Sequence, residues 1–512
     1  MLQLHNKDAW DPVQLEDLTE EEAKLLITSK TFLKDKYTAQ GLFDKLKARL
    51  VAGGHLQSRE IYDNGSSPTV STSAVFIISG IAAKEGRAVA TVDFPGAFLN
   101  SKVPDTSPPI LVQLGKFETM VLCKIDPSYK KFVRADGKMV VKLKRALYGC
   151  VESARLWYEQ LSRDLEQLGF KKNLADICVF NRLESDGKQT TIAVHVDDMM
   201  LTASTEEYID MLIRQLEALY PNLSVQRGRV LDYLGMTFDF NTAGKVKITM
   251  SGYVKELLEY CGDITGVSST PAESDLFNVD PNSEELGKTG RERYHSITCK
   301  MLYLGKRVRP DLLTAISFLT KRVQSPTAQD MKKLSRAVRY LRGTSEKGII
   351  IEADKNLSIL GYVDASYGVH EDYKSHTGCV IGIGRGPIFA KSTSQKLNTK
   401  SSAEAELVGL SDSVGQVIWS RNVLLEQGYD LGPATMYQDN QSAIALVKNG
   451  KSNSHRTRHI AIRFFFIKDR VDSKEIKIEY MRTEDMLADI LTKPLQGALF
   501  QRLRDELLNW YE

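Results

Sequence analysis

The sequence lacks any apolar run near the ~20 residues that a membrane span requires. The stretch AVFIISGIAA at 74–83 is about half that length and is interrupted by Gly80. It also lacks a secretory signal: the N-terminus, MLQLHNKDAWDPVQLEDLTEEEAK, is acidic and has no apolar core. Cysteine is sparse. The six cysteines at 123, 150, 178, 261, 299 and 379 form no CxxC pair. That argues against a disulfide framework or a zinc site and for reduced intracellular thiols. Internal repeats and low-complexity tracts are absent too. Net charge is only +3, which by itself neither implies nor excludes a polyanionic partner.

What is present is ordinary globular material, 42% apolar and 26% charged over 512 residues, enough for several domains. The charge is unevenly distributed. Lys300 to Lys347 carries about a dozen Lys and Arg against Asp311, Asp330 and Glu346. Further basic stretches are KLKARL (45–50), VKLKRALYG (141–149) and SHRTRH (454–459). Each can be a solvated helix face; their recurrence points toward a polyanion track.

Periodicity divides the chain. A helix-like apolar run covers 71–86, and RAVATVDFPGAFLN (87–100) reads as a strand with a turn at Pro95-Gly96. Leu156, Trp157, Leu161, Leu165 and Leu168 recur at three- and four-residue steps, predicting an amphipathic helix within 150–169. TIAVHVDDMMLTA (191–203) predicts two strands with Asp197 and Asp198 at the bend, and 231–250 a second hairpin about Asn241–Gly244. Residues 262–292 have linker composition, 295–342 read as helices, and from Leu357 strands give way to alternating helix and strand.

The acidic residues carry the chemistry. Asp93 ends one predicted strand and the Asp197-Asp198 pair sits at a hairpin bend. Adjacent aspartates are usually a solvated turn. Carboxylates converging from several strands of one sheet instead need a cation, and hard divalent ions take oxygen ligands. Two such ions about 4 Å apart stabilise the attacking and leaving oxygens of a phosphoryl displacement. Spacing alone leaves both readings open.

Together with HVDD, the segments TVDFPGAFLN, ALYGCVESARLWY, KARLVAGGHLQ and DYLGMTFDF resemble the reverse transcriptase of copia-type long-terminal-repeat retrotransposons. RPDLLTAISFLTKRVQSPT resembles that family's connection. GYVDASYG, SSAEAELVGL, YQDNQSAIAL, RTRHIAIRFFFIKD and DMLADILTKPL match its ribonuclease H in order. The resemblance covers roughly residues 30–495.

It implies an α+β fold: a right-hand polymerase (fingers, palm, thumb/connection) followed by an α/β ribonuclease H-like domain. The expected divisions are a leader at 1–29, fingers and palm at 30–260, and linker with helical thumb/connection at 261–352. A ribonuclease H-like domain at 353–495 and a helical tail at 496–512 complete them. It implies that Asp93, Asp197 and Asp198 form the polymerase metal site. Asp364, Glu406, Asp439 and Asp489 would form the nuclease site. Each would hold two Mg2+ ions, with Mn2+ as an alternative. Glu404 competes with Glu406, but two residues apart on a helix they point about 200° from each other. Lys47 and Arg49 fall where the family grips the triphosphate, and surface charge is the plainer account of both. Phe98 matches the aromatic that excludes a ribose 2′-hydroxyl; otherwise it is a core aromatic. Partners would be an RNA template, a DNA primer strand, RNA–DNA hybrid and deoxynucleoside triphosphates, with no membrane and no implied oligomeric state. The expected setting is intracellular, in cytoplasmic particles with later nuclear entry.

The sequence departs from the family in places. His195 replaces the usual tyrosine before VDD, and Glu152 replaces a glutamine, placing negative charge where the triphosphate is expected unless Arg155 compensates. Ala461 replaces an acidic residue, and His455 and His459 read as backbone grips or packed residues rather than catalytic groups. No zinc knuckle, Asp-Ser/Thr-Gly protease motif or integrase zinc pattern is found, so the chain looks like the C-terminal third or so of a polyprotein, or a stand-alone remnant. Two further readings stand beside an active enzyme: a host-adopted nucleic-acid-binding remnant without polymerase turnover, and a chain that keeps only the hybrid nuclease.

Overall fold

The computed structural model describes residues 1–37, 43–58, 60–61, 65–105, 108–449 and 461–511. His455 and His459, with the stretch SHRTRH, lie outside them. The architecture is mixed α and β, as expected, and is built on four sheets. Among the described residues no helix is long and apolar enough to cross a membrane.

The first sheet orders the strands Trp10–Val13, Met139–Leu143, Leu111–Leu114, Ile27–Tyr37 and Phe43–Ala52. The expected leader is thus part of this sheet: Trp10–Val13 pairs antiparallel with Met139–Leu143, and Trp10 is buried. The second sheet orders Ser224–Arg227, Ala88–Asp93, Asp198–Ala203, Gln189–His195, Val179–Leu183 and Lys171–Lys172. Its central strands are apolar on both faces because helices cover both.

One covering helix is Thr72–Glu85, buried from Ser73 to Ala83, capped by the Ser71 hydroxyl accepting from the Ala74 N–H and ended by Gly86 at φ +64°. Its apolar run shows no polar stripe because it packs on every side. Gly80, the break in that run, has a packing reason. A Cβ there would lie 2.9 Å from the Ile383 side chain and 3.0 Å from the Ile351 side chain, so any larger residue would have to push these methyls aside. Helix Ser153–Gln167 falls within its predicted window.

The third sheet, Val230–Tyr233, Met236–Asp239, Val246–Thr249, Ile349–Ala353 and Gly384–Arg385, crosses the expected division near residue 352. The fourth orders Phe389–Ser394, His376–Gly382, Leu360–Ser366, Ala434–Gln438 and Ile476–Tyr480, the first three antiparallel and the last two parallel to Leu360–Ser366. The long helix Ser402–Glu426 packs on this sheet and also ties it to the second. Trp419 Nε1 donates to Ala175 O at 2.8 Å, Asn173 Nδ2 donates to Val423 O at 2.8 Å, and buried Arg87 reaches Tyr429 Oη at 3.1 Å.

Helices Lys288–Gly305, Leu313–Lys321 and Ala328–Gly343 occupy the predicted helical region. Several of their basic residues are engaged within the chain. Lys333 donates to Leu276 O, Arg339 to Thr265 O and Arg342 to Ile264 O, while Arg336 pairs with Glu273. The cationic helix face thereby satisfies the carbonyls of a linker that has no ladder of its own. Arg309 and Asp311 are fully buried in a two-pronged ion pair of 2.8–3.0 Å, and Tyr340 Oη donates to Asp311 at 2.6 Å.

Removing one partner of a buried pair strands the other charge. Arg309→Met should therefore lower unfolding free energy by about 3–5 kcal/mol in chemical denaturation. The double variant R309M/D311L should recover most of the loss.

Candidate functional site

The first carboxylate group is assembled by strand register. Asp93 is the last residue of Ala88–Asp93, and antiparallel pairing sets it directly opposite Asp198. Asp198 also faces His195 across the hairpin, so Val196 and Asp197 form a two-residue turn. The Asp197 carbonyl accepts the Phe94 N–H at 2.9 Å, tying the turn back to the end of the Asp93 strand. All three aspartates expected together are brought together.

The turn is strained. Val196 sits at φ +56°, a conformation that costs a β-branched residue about 1–3 kcal/mol. Trp157 holds it there, donating from Nε1 to Val196 O at 2.6 Å from a fully buried ring packed edge-on against Phe94 and Tyr220. Trp157 was read only as a core position; no periodicity signal distinguishes a core indole from one that also caps a functional turn. Burial, followed by the charges of Asp197 and Asp93, pushes the Asp198 carboxyl up to about 6.

Around this group lie the residues expected to meet substrate. Lys47 and Arg49 are exposed and alternate along Phe43–Ala52, so both project from the same face. The Arg49 guanidinium lies over the Tyr148 ring at 5.6 Å, and Phe98 meets the same ring at 4.6 Å between centroids. Glu152, expected to bring negative charge near the triphosphate, is buried. It is 5% exposed, accepts from Gln57 Nε2 at 3.3 Å, and burial raises its carboxyl. Arg155 pairs with Glu159 one helical turn on, at 2.9 Å.

The second group sits at the ends of the fourth sheet's strands. Asp364 lies on Leu360–Ser366 and Asp439 directly follows Ala434–Gln438; these strands are parallel neighbours. Glu406 projects from the start of Ser402–Glu426. Carboxylate oxygens of Asp364, Glu406 and Asp439 all lie within 4.8 Å of one another. Glu404, the competitor, instead accepts the Lys400 N–H at 2.8 Å beside the helix cap. Asp489 arrives on the short helix Leu487–Leu491, buried rather than on a surface.

A glycine makes that approach feasible. Gly378 is the cross-strand partner of Asp364, and a Cβ there would lie 2.7 Å from Ala488 O and 2.8 Å from Leu491 Cβ. Lys493 then bridges the acids, with Nζ 2.7 Å from Asp489 Oδ1 and 3.5 Å from Asp364 Oδ2. Thr492 donates to Asp364, Gln438 Nε2 to Glu406 at 3.1 Å, and Thr483 to Asp439 at 2.8 Å. Sequence reading missed these four supports, although Thr492 and Lys493 stand inside the quoted DMLADILTKPL.

Burial, then Asp364 and Asp439, pushes Glu406 up to about 9. Burial and then Asp364 push Asp489 up to about 6 against the opposing Lys493. Asp364 is raised chiefly by burial. Three or four carboxylates this close are a poor arrangement for a metal-free chain and a good one for hard cations.

A family model described as reverse transcriptase (RNA-dependent DNA polymerase) matches residues 20–272. The retrovirus-related Pol polyprotein from transposon RE1 of Arabidopsis thaliana is 30% identical over 482 residues, covering 92% of this chain and 31% of that protein. That from transposon TNT 1-94 of Nicotiana tabacum is 26% identical, covering 90% and 34%. The transposon TyH3 Gag-Pol polyprotein of Saccharomyces cerevisiae is 24% identical, covering 99% and 28%. The chain thus spans about a third of the length of these relatives. Among solved structures, a prototype foamy virus protease-reverse transcriptase aligns at 12% identity and a TM-score of 0.27, over 94% of this chain and 52% of that one.

The Glu406 shift has a sign. From about pH 4.5 to about 9 the folded chain keeps a proton that the unfolded chain has released, so stability falls as pH rises through that window. Without divalent cations, the thermal midpoint should decline from pH 6 to 9 in the parent chain and decline less in Glu406→Gln. Equal slopes would contradict the shift.

Proposed function

Because this chain belongs to the copia-type reverse transcriptases, we propose that it extends a DNA primer on an RNA template and cleaves the RNA of RNA–DNA hybrids at a second site. The observation that carries this reading is the pair of acidic clusters, each gathered from distant parts of the sequence, the first on strand ends and a hairpin turn, the second on two neighbouring strands and two helices. In this reading Asp93, Asp197 and Asp198 hold the polymerase ions, and Asp364, Glu406, Asp439 and Asp489 the nuclease ions. The fit is supported by oxygen-only donor sets and by the upward shifts of Asp198, Glu406 and Asp489, which a cation would relieve. Bound there, Mg2+ or Mn2+ supplies Lewis-acid stabilisation of the attacking and leaving oxygens of phosphoryl transfer.

The chain's own residues would do the rest. Lys47 and Arg49, on one face of a strand, offer positive charge to the triphosphate of an incoming deoxynucleotide. Phe98 presents an apolar ring where a ribose 2′-hydroxyl would otherwise sit. In the second cluster, Thr492 and Gln438 orient Asp364 and Glu406, while Lys493 delivers Asp489 with a counter-charge. Burial of Glu152 against Gln57 supports removing it from the triphosphate path. The order of the fourth sheet, three antiparallel strands and two parallel ones around Asp364, supports a ribonuclease H-like unit over 353–495. The sheets before it support fingers and palm over 30–260, with linker and connection at 261–352. An intracellular particle is the setting this activity implies.

His195, where the family carries tyrosine, favours one competing reading, a nucleic-acid-binding remnant without turnover. Primer extension on a poly-rA template and cleavage of a labelled hybrid separate the two. Asp197→Asn should cut extension by about a hundredfold or more and leave hybrid cleavage intact, and Asp439→Asn the reverse. Chelation should abolish both. Hybrid binding with neither activity would favour the remnant.

A further inference from the structure

Tyr148 stands where the fingers, the aromatic wall and the first acidic cluster meet, and the mechanism above leaves it without a role. Its backbone is clamped. The Tyr148 carbonyl accepts the Ala52 N–H at 2.8 Å, at the end of the strand carrying Lys47 and Arg49. The next residue, Gly149, sits at φ +95° with the Ala52 backbone packed so close that any Cβ would collide with it. The Tyr148 ring is half-buried, with Phe98 against it at 4.6 Å and a 52° tilt, and the Arg49 guanidinium 5.6 Å from its centroid. Burial and then the nearby Asp197 carboxylate push its hydroxyl up to about 12.

We propose that Tyr148 is a positioning and specificity residue for nucleotide addition: its ring backs Phe98 against the incoming sugar, and its hydroxyl orients the Asp197 carboxylate. This rests on the polymerase reading. The physical argument is one of rotamer restriction. A half-exposed phenylalanine excludes a hydroxyl only while a neighbour blocks the rotamer that swings it away. Likewise a carboxylate on a two-residue turn, itself half-exposed, needs a donor to hold one orientation. Tyr148 supplies both, and the cation–π contact ties Arg49 to the same ring.

Two substitutions separate the functions. Tyr148→Ala removes the ring, and Tyr148→Phe removes only the hydroxyl. Single-nucleotide incorporation with deoxy- and ribonucleotides gives kcat and KM for each. Retention of a deoxynucleotide in a complex stalled on a dideoxy-terminated primer gives binding without chemistry. The thermal midpoint reports folding. Y148A should lower discrimination against ribonucleotides about tenfold or more and weaken retention in the stalled complex. Y148F should keep discrimination and the deoxynucleotide KM, lose about tenfold in kcat, and require more Mg2+ for half-maximal rate. Should Y148A lower the thermal midpoint markedly, Y148L takes its place. Parent-level discrimination in Y148A or Y148L, or identical defects in the alanine and phenylalanine variants, would overturn the proposal while leaving the polymerase reading standing. A parent chain that cannot extend a primer would remove that reading, and this inference with it.

Discussion

Mutual repulsion of carboxylates held at fixed separations is the constraint around which this structure is organised. Left to itself, a chain carrying Asp364, Glu406 and Asp439 would relax until the charges parted or protonated. Instead the backbone leaves them little freedom. Register pins Asp93 opposite Asp198, and parallel strand ends pin Asp364 beside Asp439. Burial first, and the neighbouring carboxylates second, raise Asp198 and Glu406 well above the usual carboxyl range.

Holding such groups requires rigid surroundings, and the two clusters obtain them differently. The first sits on a strained hairpin turn, and Trp157 secures that turn from below through the Val196 carbonyl. The second is reached from four directions. Its closeness depends on Gly378, whose missing side chain lets the Asp489 segment lie against the Asp364 strand. One cluster is more open and one nearly enclosed: Asp93 is exposed, whereas Asp364 is 2% exposed.

The clusters do not belong to loosely tethered halves. Strand Gly384–Arg385, from beyond the expected division, pairs with Ile349–Ala353, and helix Ser402–Glu426 is bonded to the second sheet through Asn173, Trp419 and its C-terminal neighbour Tyr429. Much of the basic charge between the halves holds the linker 262–287 rather than facing solvent. A composition count could not reveal this, since Lys333 and Arg342 look the same in sequence whether their partner is a phosphate or a carbonyl.

Much of the framework was legible locally. The helix-like run over 71–86, the apolar steps through Leu161 and Leu165, and the aspartates at the 191–203 bend follow from rules acting over a few residues, and the folded chain has each of them. Ordered motifs also identified seven acids, because family patterns preserve residue type at fixed spacing. Legibility ended where an outcome depended on residues far apart in sequence. The sequence shows a charge at Glu152 but not its hydrogen bond from Gln57, 95 positions away. Glu404 and Glu406 could be ranked only by resemblance until the sheet appeared beneath the helix. Tyr148, Trp157 and Lys493 lie inside quoted motifs or apolar steps, but their contacts with Phe98, the Val196 carbonyl and Asp489 leave no mark in a single chain. The sequence by itself therefore determined which chemical groups exist and which local elements bear them. Tertiary structure alone decided which of those groups stand within a few ångströms, because burial and charge proximity are sums over neighbours that only the folded chain assembles.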